Sequence, residues 1–236
     1  MNISPDLLLG EIVDLVPGAP RVLESYGLDY CCGGQRTLST ACEGADVDPA
    51  AVIAELDALD AGPAPDWVPL SPGLLVDHLE TTHHAYLHDE LPRLEALADK
   101  VAGVHGPGHP ELVELHRLCI ALREDLEPHM AKEERVLFPM IRELSTAISP
   151  PSLHCGSVAN PISMMIREHD DTGAILAAMR QLTNDYRVPG DACASYRALY
   201  EGLAALESDT HLHIHKENNA LFPAVLALER RWSSAV

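Results

Sequence analysis

The chain has 236 residues and a formal charge of −20, with 16 basic side chains against 36 acidic ones. That balance repels nucleic acid and anionic membrane surfaces, and no apolar run approaches the length of a membrane span. No glycine-rich loop follows a strand and no Ser/His/Asp order is evident, so nucleotide use and hydrolytic catalysis lack support, whereas an acidic chain with 13 histidines suits cations.

Residues 1–62 read as a small helical domain. Asp6 to Val16 is apolar-periodic and stops at Pro17-Gly18, Pro20 to Tyr26 opens with a proline suited to a first helical turn, and Asp48-Pro49 caps a helix running to Leu59. Between them lies Tyr26-Gly-Leu-Asp-Tyr-Cys-Cys-Gly-Gly-Gln35. The reading places Cys31 and Cys32 at the start of a helix from Gly33 onward, where backbone N–H groups and the dipole lower a thiol pKa. The alternative is two small buried thiols in a tight turn. A disulfide between adjacent cysteines is strained, so none is expected. Cys42, Cys119, Cys155 and Cys193 show no ligand spacing, and six scattered cysteines without a signal peptide predict a reduced, cytoplasmic protein. About 60 residues bury little core, so this domain is expected to dock on its neighbour or pair in a homodimer.

Residues 63–71 form a proline-rich linker, within a stretch from Ala61 to Pro72 that holds four prolines. Beyond it, residues 72–236 predict a four-helix bundle of up-down-up-down order. Leu74 to Lys100 and Ile162 to Leu182 have aliphatic residues at spacings of three and four, and an irregular stretch from Ser149 to Pro161 joins the two halves.

Those halves repeat one motif. His129-Met-Ala-Lys-Glu-Glu-Arg-Val-Leu-Phe-Pro139 is echoed by His213-Ile-His-Lys-Glu-Asn-Asn-Ala-Leu-Phe-Pro223, with the chain's only two phenylalanines in identical register. His-x-x-x-Glu sets an imidazole and a carboxylate one turn apart on one helix face, where both reach a common metal. His84 and His169 precede the two motifs at nearly equal distances on the first and third helices. The candidate ligands are therefore His84, His129, Glu133, His169, His213 and Glu217. A histidine beside apolar residues is ordinarily solvated or hydrogen-bonded, which is the reading for His78, His88, His105, His109, His116, His154, His211 and His215. For the six, that reading would bury two carboxylates without a metal, at a cost of several kcal/mol.

Imidazole with carboxylate and without thiolate suits iron or manganese rather than structural zinc, and two bridging carboxylates best describe a di-iron centre. Ferritin-like proteins use Glu-x-x-His with lone glutamates, the reverse of the pattern here. With an oxo or hydroxo bridge, four histidines and two bridging glutamates leave about one position open on each of two six-coordinate non-haem irons. His83 lies ~100° around the helix from His84 and is expected to face away, while His88, one turn along, could close a position.

Together, Tyr-Gly-Leu-Asp-Tyr-Cys-Cys-Gly-Gly and the doubled His-x-x-x-Glu with Leu-Phe-Pro resemble the bacterial hemerythrin-like di-iron proteins for repair of iron centres, the iron-sulfur cluster repair family. The resemblance covers nearly the whole chain. It implies the same six ligands and a functional thiol pair at Cys31 and Cys32. It also implies a stress protein that restores iron-sulfur clusters damaged by nitric oxide or oxidants by donating iron, with iron-sulfur proteins as recipients. Two alternatives use the same centre: reduction of nitric oxide, and hemerythrin-like binding or sensing of oxygen. Against the family pattern the chain has extra histidines at 83, 211 and 215, and an insertion from Ser149 to Pro161 carrying His154 and Cys155.

Overall fold

The computed structural model describes residues 3–59, 62–63, 65–149 and 156–233; His154 and Cys155 lie outside them. The protein is all-α, as expected. Among the described residues the only extended pairing is one antiparallel bridge between Leu8 and Thr37, and no helix is long and apolar enough to cross a membrane.

The chain divides into two compact units. One comprises residues 79–139 and 161–210 and is a four-helix bundle. Its helices are α6 (Ala85–His105), α7 (Glu111–Lys132), α9 (Ala159–Leu182) and α10 (Ala194–His215), of which α9 and α10 run a little beyond the unit. Cross-helix contacts fix their directions. Arg123 meets Glu95, Thr172 meets Asp125, Arg180 meets Glu207 and Lys100 meets Ser195, so each helix runs antiparallel to its neighbours, the up-down-up-down order. The reason for the helices is their stripe. Leu87, Leu91, Leu94, Ala98 and Val101 on α6 face Leu112, Leu115, Cys119, Leu122 and Leu126 on α7, closed by Leu176, Met179, Leu199, Leu203 and Leu206. Each large side chain among them contributes roughly 1.5–3 kcal/mol by leaving water. The turn after α9 is unusual. Asn184, Asp185 and Tyr186 all have positive φ (51°, 59° and 53°), held by Thr183 Oγ1 accepting from the Tyr186 N–H and by Arg180 over the Tyr186 ring.

The other unit comprises residues 1–78, 140–160 and 211–236. It holds the N-terminal helices α1 (Leu9–Leu15), α2 (Ala19–Ser25), α3 (Leu38–Ala45) and α4 (Pro49–Asp57), with α5 (Pro72–Leu79), α8 (Phe138–Thr146) from Met140 onward, and α11 (Phe222–Ser233). Asp48 Oδ1 accepts from the Ala50 N–H and Pro49 occupies the first turn, so α4 starts where the sequence placed it. The helix expected from Gly33 begins instead at Leu38, because Thr37 is the residue that caps it, its Oγ1 accepting from the Thr40 N–H.

Candidate metal centre

Among the described residues, three π-helical turns interrupt the helices: Glu80–His84, Glu133–Leu137 and Lys216–Leu221. Each holds at least one residue of the predicted ligand set. In the two repeats the Phe138 N–H reaches back to the Glu133 carbonyl and the Phe222 N–H to that of Glu217, five residues away rather than four. Pro139 and Pro223 supply the reason. Neither has an N–H to give, and each ring crowds the carbonyl four residues back, which a widened turn relieves. The repeated Leu-Phe-Pro is thus the device that reshapes the turn bearing each glutamate.

All six predicted side chains are buried, both glutamates completely. They fall into two groups, His84/Glu133/His213/Glu217 and His129/Glu133/His169/Glu217, and within each the ligand atoms lie within 4.8 Å of one another. Both groups share Glu133 and Glu217. Glu133 Oε2 stands 3.4 Å from Nε2 of His84 and of His129, His129 Nε2 is 3.1 Å from His169 Nε2, and Glu217 Oε1 is 3.2 Å from His213 Nε2.

The outer faces of two rings explain why these nitrogens turn inward. His84 Nδ1 lies 2.9 Å from Glu134 Oε1, and His129 Nδ1 lies 2.9 Å from Glu168 Oε2. A carboxylate there keeps the proton on Nδ1 and leaves the Nε2 lone pair facing the glutamates, the arrangement of metal-binding imidazoles. Partial burial of Glu134 raises its pKa, but the hydrogen bonds from His84 and His88 outweigh this and hold the carboxyl below its ordinary value. Glu168 behaves likewise: burial opposes, and Lys132 and His129 prevail. An imidazole and carboxylate set without thiolate, its lone pairs fixed inward, fits a transition metal of the iron type.

The four other histidines considered near the centre stand outside both groups. His83 is buried against Asp209, His88 binds Glu134, His211 meets Glu24 and His215 Nε2 is 2.9 Å from Asp14. Glu134 and Glu168 were missed in the sequence because their contacts cross between helices; the one available signal is that each adjoins a ligand in the chain.

Cys31 and Cys32 are both free thiols, 3.9 Å apart at sulfur. The helix-start setting expected for them is not what forms, and the Cys31 thiol is raised rather than lowered. No helix starts here. Asp29 organises a tight turn, Oδ1 accepting from the Cys31 and Cys32 N–H groups and Oδ2 from that of Gly33. The neighbouring Cys32 sulfur, burial and the Asp29 carboxylate push the Cys31 thiol well above its usual value. Asp29, Cys31 and Cys32 together form a third group able to hold a cation.

The two glycines of the motif have separate steric causes. A Cβ on Gly33 would lie 2.6 Å from the Asp29 carbonyl oxygen, and one on Gly34 would lie 2.4 Å from Asn219 Oδ1. Asn219 Nδ2 donates to the carbonyls of Tyr30 and Cys31, and Asn218 Nδ2 also reaches Cys31 O. The thiol turn is therefore seated on the π turn that bears Glu217, despite the proline-rich linker between the two segments.

An all-helical protein with such a buried donor set fits a cation-binding protein of the hemerythrin kind, and the hemerythrin HHE cation binding domain matches residues 75–225. A domain of unknown function, DUF542, matches residues 6–60. The iron-sulfur cluster repair protein YtfE of Enterobacter sp. (strain 638) is 38% identical over 226 residues, covering 95% of this chain and 98% of the relative. Those of Cronobacter sakazakii and Escherichia coli O157:H7 are 38% and 37% identical at the same coverage. The chain belongs to this family of hemerythrin-type proteins.

Proposed function

We propose that the protein is a di-iron protein that repairs iron-sulfur clusters damaged by nitrosative or oxidative stress, by donating iron. His84, His129, His169 and His213 would supply nitrogen ligands, and Glu133 and Glu217 would bridge. The observation that carries this reading is the sharing of both glutamates between the two groups, since two ions with common carboxylates account for every member of the set. The relatives named for iron-sulfur cluster repair support the role of the centre.

Bound iron would be both the cargo and the source of about one open coordination position per ion for small ligands such as nitric oxide or oxygen. What the chain itself does is hold. Glu134 and Glu168 keep His84 and His129 in one tautomer, the bundle core excludes water from the buried glutamates, and the π turns set their reach. Iron-sulfur proteins would be the recipients, in a cytoplasm reducing enough to keep the thiols at 31 and 32 free.

The test is transfer. Iron-loaded protein mixed with an apo iron-sulfur protein, sulfide and a thiol reductant should restore the cluster's visible absorption, while a Glu133→Leu variant should not. Restoration no faster than with the same amount of free ferrous iron would refute donation.

A further inference from the structure

The outer supports of His84 and His129 are alike in geometry and different in chemistry. Glu168, behind His129, is tied to the Lys132 ammonium, a fixed cation without a lone pair. Glu134, behind His84, is shared instead with a second imidazole, and His88 Nε2 lies 3.2 Å from the same Oε1 that accepts from His84. Along that chain exposure rises from 1% at the His84 side chain through 32% at Glu134 to 48% at His88. Imidazole, carboxylate and imidazole thus follow one another from the bundle interior to solvent, each a ligand type that suits iron. The route past His129 is guarded by like charge, because the lysine repels any cation that approaches Glu168.

We infer that Glu134 and His88 form a transit site through which the ion of the His84 group leaves the protein, so that one of the two irons is given up before the other. The inference rests on the di-iron reading above and names its exit. His84 Nδ1 faces Glu134 and Nε2 faces Glu133, so the ring would turn outward as it releases the ion, and the Glu134 carboxylate and the His88 ring would take it up by ligand exchange. Iron stays ferrous, no bond to carbon or sulfur forms, and the acceptor is any ligand in solution that binds ferrous iron.

The direction of a mutational effect separates transit from mere support. A carboxylate that only positions His84 strengthens metal binding, so weakening it would speed release, by the 10–100-fold that losing such outer partners typically costs in affinity. A transit ligand does the opposite when removed. Reduced, iron-loaded full-length protein is mixed with a ferrous chelator such as ferrozine, and absorbance at the chelate band is followed with time.

The wild type should release iron in two phases of equal amplitude. His88→Gln, which touches none of the six ligands, should slow the fast phase about tenfold with total iron unchanged, and Glu134→Gln, whose amide oxygen still accepts from His84, should slow it too. An unchanged or faster fast phase in both variants would overturn the proposal. Wild-type protein that holds two irons and loses both in one phase would also overturn it, leaving the di-iron reading intact. Wild type that binds no iron would instead refute that reading itself.

Discussion

Replacing Gly34 by alanine tests how the thiol turn is attached to the metal-bearing helix. The added Cβ would sit 2.4 Å from Asn219 Oδ1 and 2.6 Å from its Cγ and Nδ2, inside any real carbon contact. The backbone of Gly34 has little room to move, since its carbonyl accepts from the Gly10 N–H at 2.9 Å. Asn219 must therefore leave, and with it go the bonds to Tyr30 O (3.2 Å) and Cys31 O (3.0 Å) and the one accepted from Gln35 Nε2 (3.1 Å). At about 1 kcal/mol per bond, with an added penalty for the carbonyls left dry, the loss is roughly 2–4 kcal/mol. For a chain of this size that is a fall in Tm of about 5–15 °C. Thermal unfolding of the metal-free protein, followed by circular dichroism, reads it. Asn219→Ala should cost a similar amount, and the double variant should be no worse than Asn219→Ala alone, because the clash is then gone. Losses that simply add, or a Gly34→Ala protein as stable as the wild type, would refute the steric account.

Further outcomes follow from the same contacts. Glu134→Leu removes the acceptor from His84 and should weaken iron binding 10–100-fold in a chelator competition; wild-type affinity would contradict this. Because Glu134 and Glu168 have carboxyl groups held below 4.5, their contribution to folding is complete above that value and is lost as pH falls through the lowered pKa. The metal-free wild type should therefore lose stability in acid more steeply than the Glu134→Gln/Glu168→Gln variant, as urea titrations at pH 6 and pH 4 would reveal. Among the thiols, Cys193 is lowered by the Tyr196 backbone N–H and by His105, whereas burial lifts Cys119 to about 12 and its neighbours lift Cys31. Iodoacetamide at neutral pH should label Cys193 before either, as peptide mass mapping would show; earlier labelling of Cys31 would restore the low-pKa reading of the pair.

The six buried donors were legible because a duplicated His-x-x-x-Glu needs only helical periodicity to place a ring and a carboxylate together. The all-α bundle was legible for the same reason, through stripes such as Leu87, Leu91 and Leu94. What sequence did not carry is whatever depends on a second helix. Glu134 reaches His84 from α7's continuation, and Glu168 reaches His129 from α9, contacts that no spacing within one segment encodes. The thiol turn was misread for a different reason. Gly33 and Gly34 look like the opening of a helix, yet they are small because Asp29 and Asn219 press on them, and the true helix waits for the cap at Thr37. The π turns left one trace, the prolines at 139 and 223, whose meaning emerges only once the carbonyls of Glu133 and Glu217 are seen to accept from five residues on.

The central claim is that two ions share Glu133 and Glu217. Iron content per chain, measured on wild-type protein and on Glu133→Leu and Glu217→Leu after identical anaerobic loading, tests it most directly. The account predicts about two irons in the wild type and loss of most of both in each variant, because either carboxylate serves both ions. Iron contents in the two variants equal to that of the wild type would contradict it.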